Sequence, residues 1–96
     1  MHKYELAVVV SAKLEEDGRA ATVDKVKALI ERFGGQITNV DDWGKKRLAY
    51  EIEKMNEAFY YFIQFDAEGT APAEIENRIR IMDNVVRFLI VRTDEK

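Results

Sequence analysis

Residues 43–50 read Trp43-Gly44-Lys45-Lys46-Arg47-Leu48-Ala49-Tyr50, and an aromatic run, Phe59-Tyr60-Tyr61-Phe62-Ile63-Gln64-Phe65, follows shortly after. Three consecutive cations stand ahead of the alternating set Leu48, Tyr50, Ile52, so a charged segment feeds directly into a half-buried strand. The return run is almost wholly aromatic or apolar, as a central strand is. Between them Lys54-Met55-Asn56-Glu57 supplies a polar turn of hairpin length. The pair predicts a long hairpin with a basic shoulder.

Working outward, strand two begins near Gln36 with Ile37 and Val40 and extends to about Ile52. Its apolar positions change parity between Ile37 and Leu48, which a regular strand does not permit. One extra residue must be absorbed, most simply in a bulge at Gly44. Strand three, Ala58 to Phe65, places Phe59, Tyr61, Ile63 and Phe65 on one face and Tyr60, Phe62 and Gln64 on the other.

Upstream, Tyr4, Leu6, Val8 and Val10 share one face of a first strand rich in β-branched residues, while Lys3, Glu5, Ala7 and Val9 take the other. Glu15, Glu16 and Asp17 lie where carboxylates favour the amino end of a helix. Val23, Val26, Ile30 and Phe33 then recur at helical spacing, and Gly34-Gly35 stops that helix, the first glycine in the left-handed position of a carboxyl cap. Downstream, Thr70 or Ala71 caps a second helix with Pro72 in its first turn, and Ile75, Ile79 and Met82 form its buried stripe. Glu74 with Arg78 and Glu76 with Arg80 are spaced for ion pairs across one turn. Asp83-Asn84 turns the chain into strand four, Val85 to Thr93.

The order β, α, β, β, α, β with right-handed crossovers predicts an α+β, ferredoxin-like split fold. Four antiparallel strands carry both helices on one face, in a single domain over residues 1–96. The chain has no cysteine, which removes disulfides, thiolate metal sites and thiol catalysis together and fits a cytoplasmic home. No apolar run approaches the roughly 18 residues that span a bilayer, so neither signal peptide nor membrane anchor is expected. Nothing in the pattern calls for a cofactor.

Catalysis is poorly supplied. The sole histidine, His2, stands near the start, no nucleophile sits in a strand-turn-helix elbow, and Gly34-Gly35 follows a helix where a phosphate loop must precede one. Asp41 and Asp42 are adjacent on a strand, so they point to opposite faces and cannot converge on a metal. The residues that remain are cations and an uncovered apolar surface. The cations of interest are Lys3, Lys45, Lys46, Arg47, Lys54, Arg87 and Arg92. Val9, Tyr50, Tyr60, Phe62, Leu89 and Val91 are the candidate protein-partner surface, at either the uncovered sheet face or the edge of strand two.

The formal net charge of −3 opposes general polyanion binding, but the sign is unevenly spread. Residues 45–60 hold four cations against three anions, whereas residues 1–44 hold six against eight. A weak or assisted RNA binder is expected. The RNA recognition motif has the same strand order, and Tyr60, Phe62, Ile63 and Phe65 match its third-strand spacing. Ala7, however, stands where its first strand offers an aromatic. A small-molecule regulatory module shares the architecture too, but Ser11-Ala12-Lys13 lacks the glycine-bearing first loop.

Arg47-Leu48-Ala49-Tyr50-x-Ile52 with Lys54, followed by Arg80-x-x-Asp83-x-Val85-x-Arg87 leading into Leu89-x-Val91, resembles the small-subunit ribosomal protein six family of bacteria. Tyr4-Glu5, Gly34-Gly35 and the basic run before Leu48 extend the likeness over essentially the whole chain. His2 stands where the family commonly has arginine, and Glu51 where it often has proline. The resemblance implies a structural RNA-binding protein and not an enzyme. It implies a place in the central domain, or platform, of the small subunit, on 16S ribosomal RNA beside small-subunit ribosomal protein eighteen, with no small-molecule substrate. By position it assigns Lys46, Arg47 and Arg87 to ribosomal RNA phosphates; Lys45, Lys54 and Arg92 join them as weaker candidate RNA contacts from charge and location alone, with Lys3 as the candidate cation near the start.

Overall fold

The computed structural model describes residues 1–52 and 55–93; the side chains of residues 49–52 and 55 lie outside that description. The elements are β1 (His2–Ser11), α1 (Glu16–Arg32), β2 (Gln36–Ile52), β3 (Met55–Ala67), α2 (Ala71–Ile79) and β4 (Val85–Arg92). They form one antiparallel sheet in the order β2-β3-β1-β4. The ferredoxin-like expectation therefore holds, with β1 and β3 central and β2 and β4 at the edges.

Cross-strand register decides which side chains meet. Leu6 opposes Ile63 and Ile90, Val8 opposes Tyr61 and Phe88, and Tyr4 opposes Phe65, so this parity defines one face. That face carries the core, in which Leu6, Val8, Val10, Ile63 and Phe65 pack with Val26 and Ile30 of α1 and with Ile75 and Ile79 of α2. Both helices thus cover one side of the sheet. Fully burying an aliphatic side chain of this size contributes about 1.5–3 kcal/mol, so the period-two and period-3.6 apolar patterns select the same arrangement.

Helix α1 ends as the glycine pair predicts. Gly34 adopts φ +86°, and the Gly35 amide donates to the Ile30 carbonyl at 2.8 Å. Gly35 is required for a different reason, since a Cβ there would lie 2.8 Å from that carbonyl oxygen and 2.5 Å from Ile30 Cγ2. The backbone passes too close to the helix for any side chain.

Four readings from the sequence need correction. Met55, Asn56 and Glu57, read as part of the hairpin turn, belong to β3, where Met55 pairs with Ile52; Lys54 lies outside the described residues. Strand β2 absorbs two extra residues before Lys45 where one was expected: the register slips between Ile37 and Asn39 and again between Asp42 and Gly44. Ile37 and Val40 already differ in parity, which is the signal for the first slip. The helix-surface pairs Glu74 with Arg78 and Glu76 with Arg80 do not close among the described residues; the Arg78 guanidinium lies 6.0 Å from the Phe33 ring centroid instead. Finally, Val9 is 6% exposed although it lies on the helix-free face. Its neighbours there shield it.

Candidate nucleic-acid interface

The bulge at Gly44 organises the basic segment. Gly44 takes φ +74°, its amide donates to Asp42 Oδ1 at 2.8 Å, and Trp43 becomes the residue with no opposite partner. A left-handed backbone here absorbs one residue without breaking the ladder on either side. Past it, Gly44 opposes Tyr60, Lys45 opposes Phe59, Lys46 opposes Ala58 and Arg47 opposes Glu57.

Strand alternation then separates the three cations. Lys46 takes the helix-free face, while Lys45 and Arg47 take the helix side. Lys45 Nζ lies 5.8 Å from the centroid of Phe59, a helix-side residue, in agreement with the register. The basic run is therefore a ridge along an edge strand, reaching both sides of the sheet. All three are exposed, and among the described residues neither Lys46 nor Arg47 makes a salt bridge.

Arg87 opposes Val9 and is exposed on the helix-free face, one row from Lys46 but on the far edge strand. Lys3 shares that face at its opposite end, across from Asp66. Arg92 opposes Tyr4 and so belongs to the helix side. Lys54 and the side chain of Tyr50 lie outside the described residues. Among the described candidates, Lys46 and Arg87 are the two brought to one end of one face.

That face is chemically polarised along the strands. Lys46 and Arg87 flank one end, whereas Glu5, which accepts a hydrogen bond from Gln64 Nε2 at 3.2 Å, and Asp66 lie toward the other. Between them Tyr60 and Phe62 are half-buried, and Leu89 and Val91 on β4 are 60% and 42% exposed. Asp41 opposes Phe62 and Asp42 opposes Tyr61, so the two carboxylates face opposite sides as their adjacency requires.

Two residues enter that the sequence did not single out. Trp43 is 56% exposed, and its indole packs on Phe62 with centroids 4.6 Å apart, adding an aromatic from β2 to the helix-free face. A lone tryptophan beside a candidate bulge glycine was the available signal, but its face depends on the slip itself. On the helix side, the Arg19 guanidinium from α1 lies 3.9 Å from the Phe59 centroid, and its charge acts on the neighbouring Tyr61 phenol. Burial, followed by the Asp42 charge, pushes the Tyr61 phenol above its usual range, and Arg19 partly offsets both.

The ribosomal protein S6 family model matches residues 3–92. The chain belongs to the ribosomal protein S6 family. Small ribosomal subunit protein bS6 of Clostridium kluyveri is 50% identical over 96 residues, covering 100% of both chains. The bS6 protein of Heliobacterium modesticaldum is 42% identical over 96 residues, again covering 100% of both. Among solved structures, 30S ribosomal protein S6 from Thermotoga maritima superposes with a TM-score of 0.92 at 32% identity, covering 97% of this chain and 88% of that one. Membership in the S6 family makes this a protein of the small ribosomal subunit, in the cytoplasmic ribosome, and RNA binding and a part in translation follow from the family. The S6 family is one of structural ribosomal proteins, which implies a non-enzyme.

Proposed function

We propose that the chain binds 16S ribosomal RNA in the central domain, or platform, of the small subunit, jointly with small-subunit ribosomal protein eighteen. The helix-free sheet face and the β2 edge supply the surface. The observation that carries this reading is the convergence of Lys46 and Arg87 on one end of a face that also displays Trp43, Tyr60 and Phe62. Cations fix a phosphate backbone, and aromatic faces receive bases or a partner's apolar side chains.

The division of labour has a physical basis. A chain of net charge −3 offers few phosphate contacts, and each contributes only about 0.9 to the logarithmic salt slope on duplex RNA-like polyanions. Binding alone is then weak. A basic partner that covers Leu89 and Val91 removes apolar surface from water and adds its own cations to the same RNA. Lys45 and Arg47, on the other side of the β2 ridge, extend the contact only if RNA wraps the strand edge.

Photochemical crosslinking within purified small subunits tests the proposal. RNA crosslinks are expected at Trp43, Lys46 and Tyr60, with protein crosslinks at Leu89 and Val91. RNA crosslinks confined to exposed residues of α1 and α2, with the sheet face silent, would overturn it.

A further inference from the structure

A second surface lies on the opposite side of the molecule. A groove of about 560 Å³ runs between α1 and the chain leaving α2, lined among others by Lys25, Leu29, Arg32, Arg78, Ile81 and Met82. Lys25 and Arg32 are seven residues apart on one stripe of α1, about 10 Å along its axis. Leu29 lies between them and is half-buried, and Ile81 on the facing wall is 75% exposed. The site is thus an aliphatic floor between positive ends.

The charge in the groove is not balanced internally. Three cations line it against the single carboxylate of Asp83, in a chain whose net charge is negative. Among the described residues none of Lys25, Arg32 and Arg78 makes an ion pair; the pair that closes on α1 is Lys27 with Asp24 at 3.6 Å. Arg32 and Arg78 approach one ring instead, with guanidinium carbons 5.9 and 6.0 Å from the Phe33 centroid. Both guanidinium groups, from different helices, line this groove, so an anion seated in it would meet positive charge from each.

We propose that this groove docks a short acidic segment of another protein, with carboxylates about 10 Å apart and an aliphatic side chain between them. The carboxylates meet Lys25 at one end and the Arg32 and Arg78 forks at the other, and the aliphatic group covers Leu29 and Ile81. RNA fits less well. Phosphates would satisfy the cations but leave Ile81 and Leu29 in water, and the Phe33 ring is approached by the two guanidinium groups. The site is independent of the sheet-face reading, from which the sheet itself separates it.

The test is a heteronuclear NMR titration of the full chain with a synthetic twelve-residue peptide of glutamate with leucine at helical spacing. A control peptide carries lysine in place of every glutamate. Saturable shifts confined to residues 22–32 and 78–84 are expected, with no response to the lysine peptide. Arg32→Gln with Arg78→Gln should weaken binding about tenfold or more, and Ile81→Ser about threefold, since charged hydrogen bonds carry more than one small apolar contact. Absence of shifts, shifts on the sheet face, equal response to both peptides, or displacement of the acidic peptide by an RNA oligomer would each refute it. All three side chains are exposed, so unchanged spectra elsewhere verify that the variants are folded.

Discussion

Replacing Lys46 or Arg87 by alanine removes one positive charge from the same sheet face, and their spacing sets how the two losses combine. Lys46 lies on β2 and Arg87 on β4, separated by three strand spacings and offset by one row along the strands, or about 16 Å between Cα positions. That distance exceeds the Debye length of about 8–10 Å at moderate salt, and sites so far apart lose free energy additively. One phosphate contact contributes about 0.9 to the slope of log K against log salt; carried from 1 M down to 0.1 M salt, that amounts to about eightfold in affinity. Each single variant should therefore bind about eightfold more weakly at 0.1 M salt, and the double variant about sixtyfold. The salt slope should become shallower by about 0.9 and about 1.8 respectively. The assay is fluorescence anisotropy of a labelled fragment of the central domain of 16S ribosomal RNA, titrated with the chain and the proposed partner, small-subunit ribosomal protein eighteen, across a salt series. Circular dichroism should show no loss of fold, because both side chains are exposed. An unchanged slope in the double variant, or a greater loss from Arg47→Ala than from Lys46→Ala, would refute the face assignment.

Further substitutions probe the scaffold that presents these residues. Gly44→Val should cost about 1–2 kcal/mol, from the left-handed backbone alone since nothing lies within 4 Å of a built Cβ; for a domain of this size that lowers Tm by about 4–16 °C, and Gly44→Asn should recover much of it. An unchanged Tm in the valine variant would show that the bulge does not need φ +74°. Gly35→Ala fails for a steric reason and should cost about 1–3 kcal/mol in urea unfolding, with asparagine no better than alanine. Tyr61 carries a pH dependence. Its phenol is raised in the folded state, so stability is fully present below the unfolded value of about 10 and falls as pH rises from there through the folded value. Tyr61→Phe should flatten that alkaline decline, and an identical decline in the variant would assign it to another group.

Most of the secondary structure was legible because the signals are local. The spacing of Val23, Val26 and Ile30, the stop at Gly34-Gly35 and the alternation of Tyr4, Leu6, Val8 and Val10 each depend only on the chain's own period, and the core uses every one of these side chains. The cation pattern of residues 45–47 and the motifs around Leu48 and Arg87 were likewise visible, and they carried the family resemblance that the whole-chain matches established. The bulge at Gly44 was also inferable, since a parity change along β2 demands an inserted residue.

Facing was not legible, because it depends on pairing between distant segments. Two register slips in β2, one of them foreseen, determine that Lys46 joins Arg87 while Lys45 and Arg47 turn toward the helices, and that Trp43 reaches Phe62. Val9 shows the same limit: its alternation marks the helix-free face, yet neighbours contributed by other strands bury it. The sequence by itself determined which elements form and which charges the chain owns. The tertiary structure decided which of those charges share a surface, because an inserted residue inverts every side chain beyond it, and the place it is accommodated is set by the opposing strand.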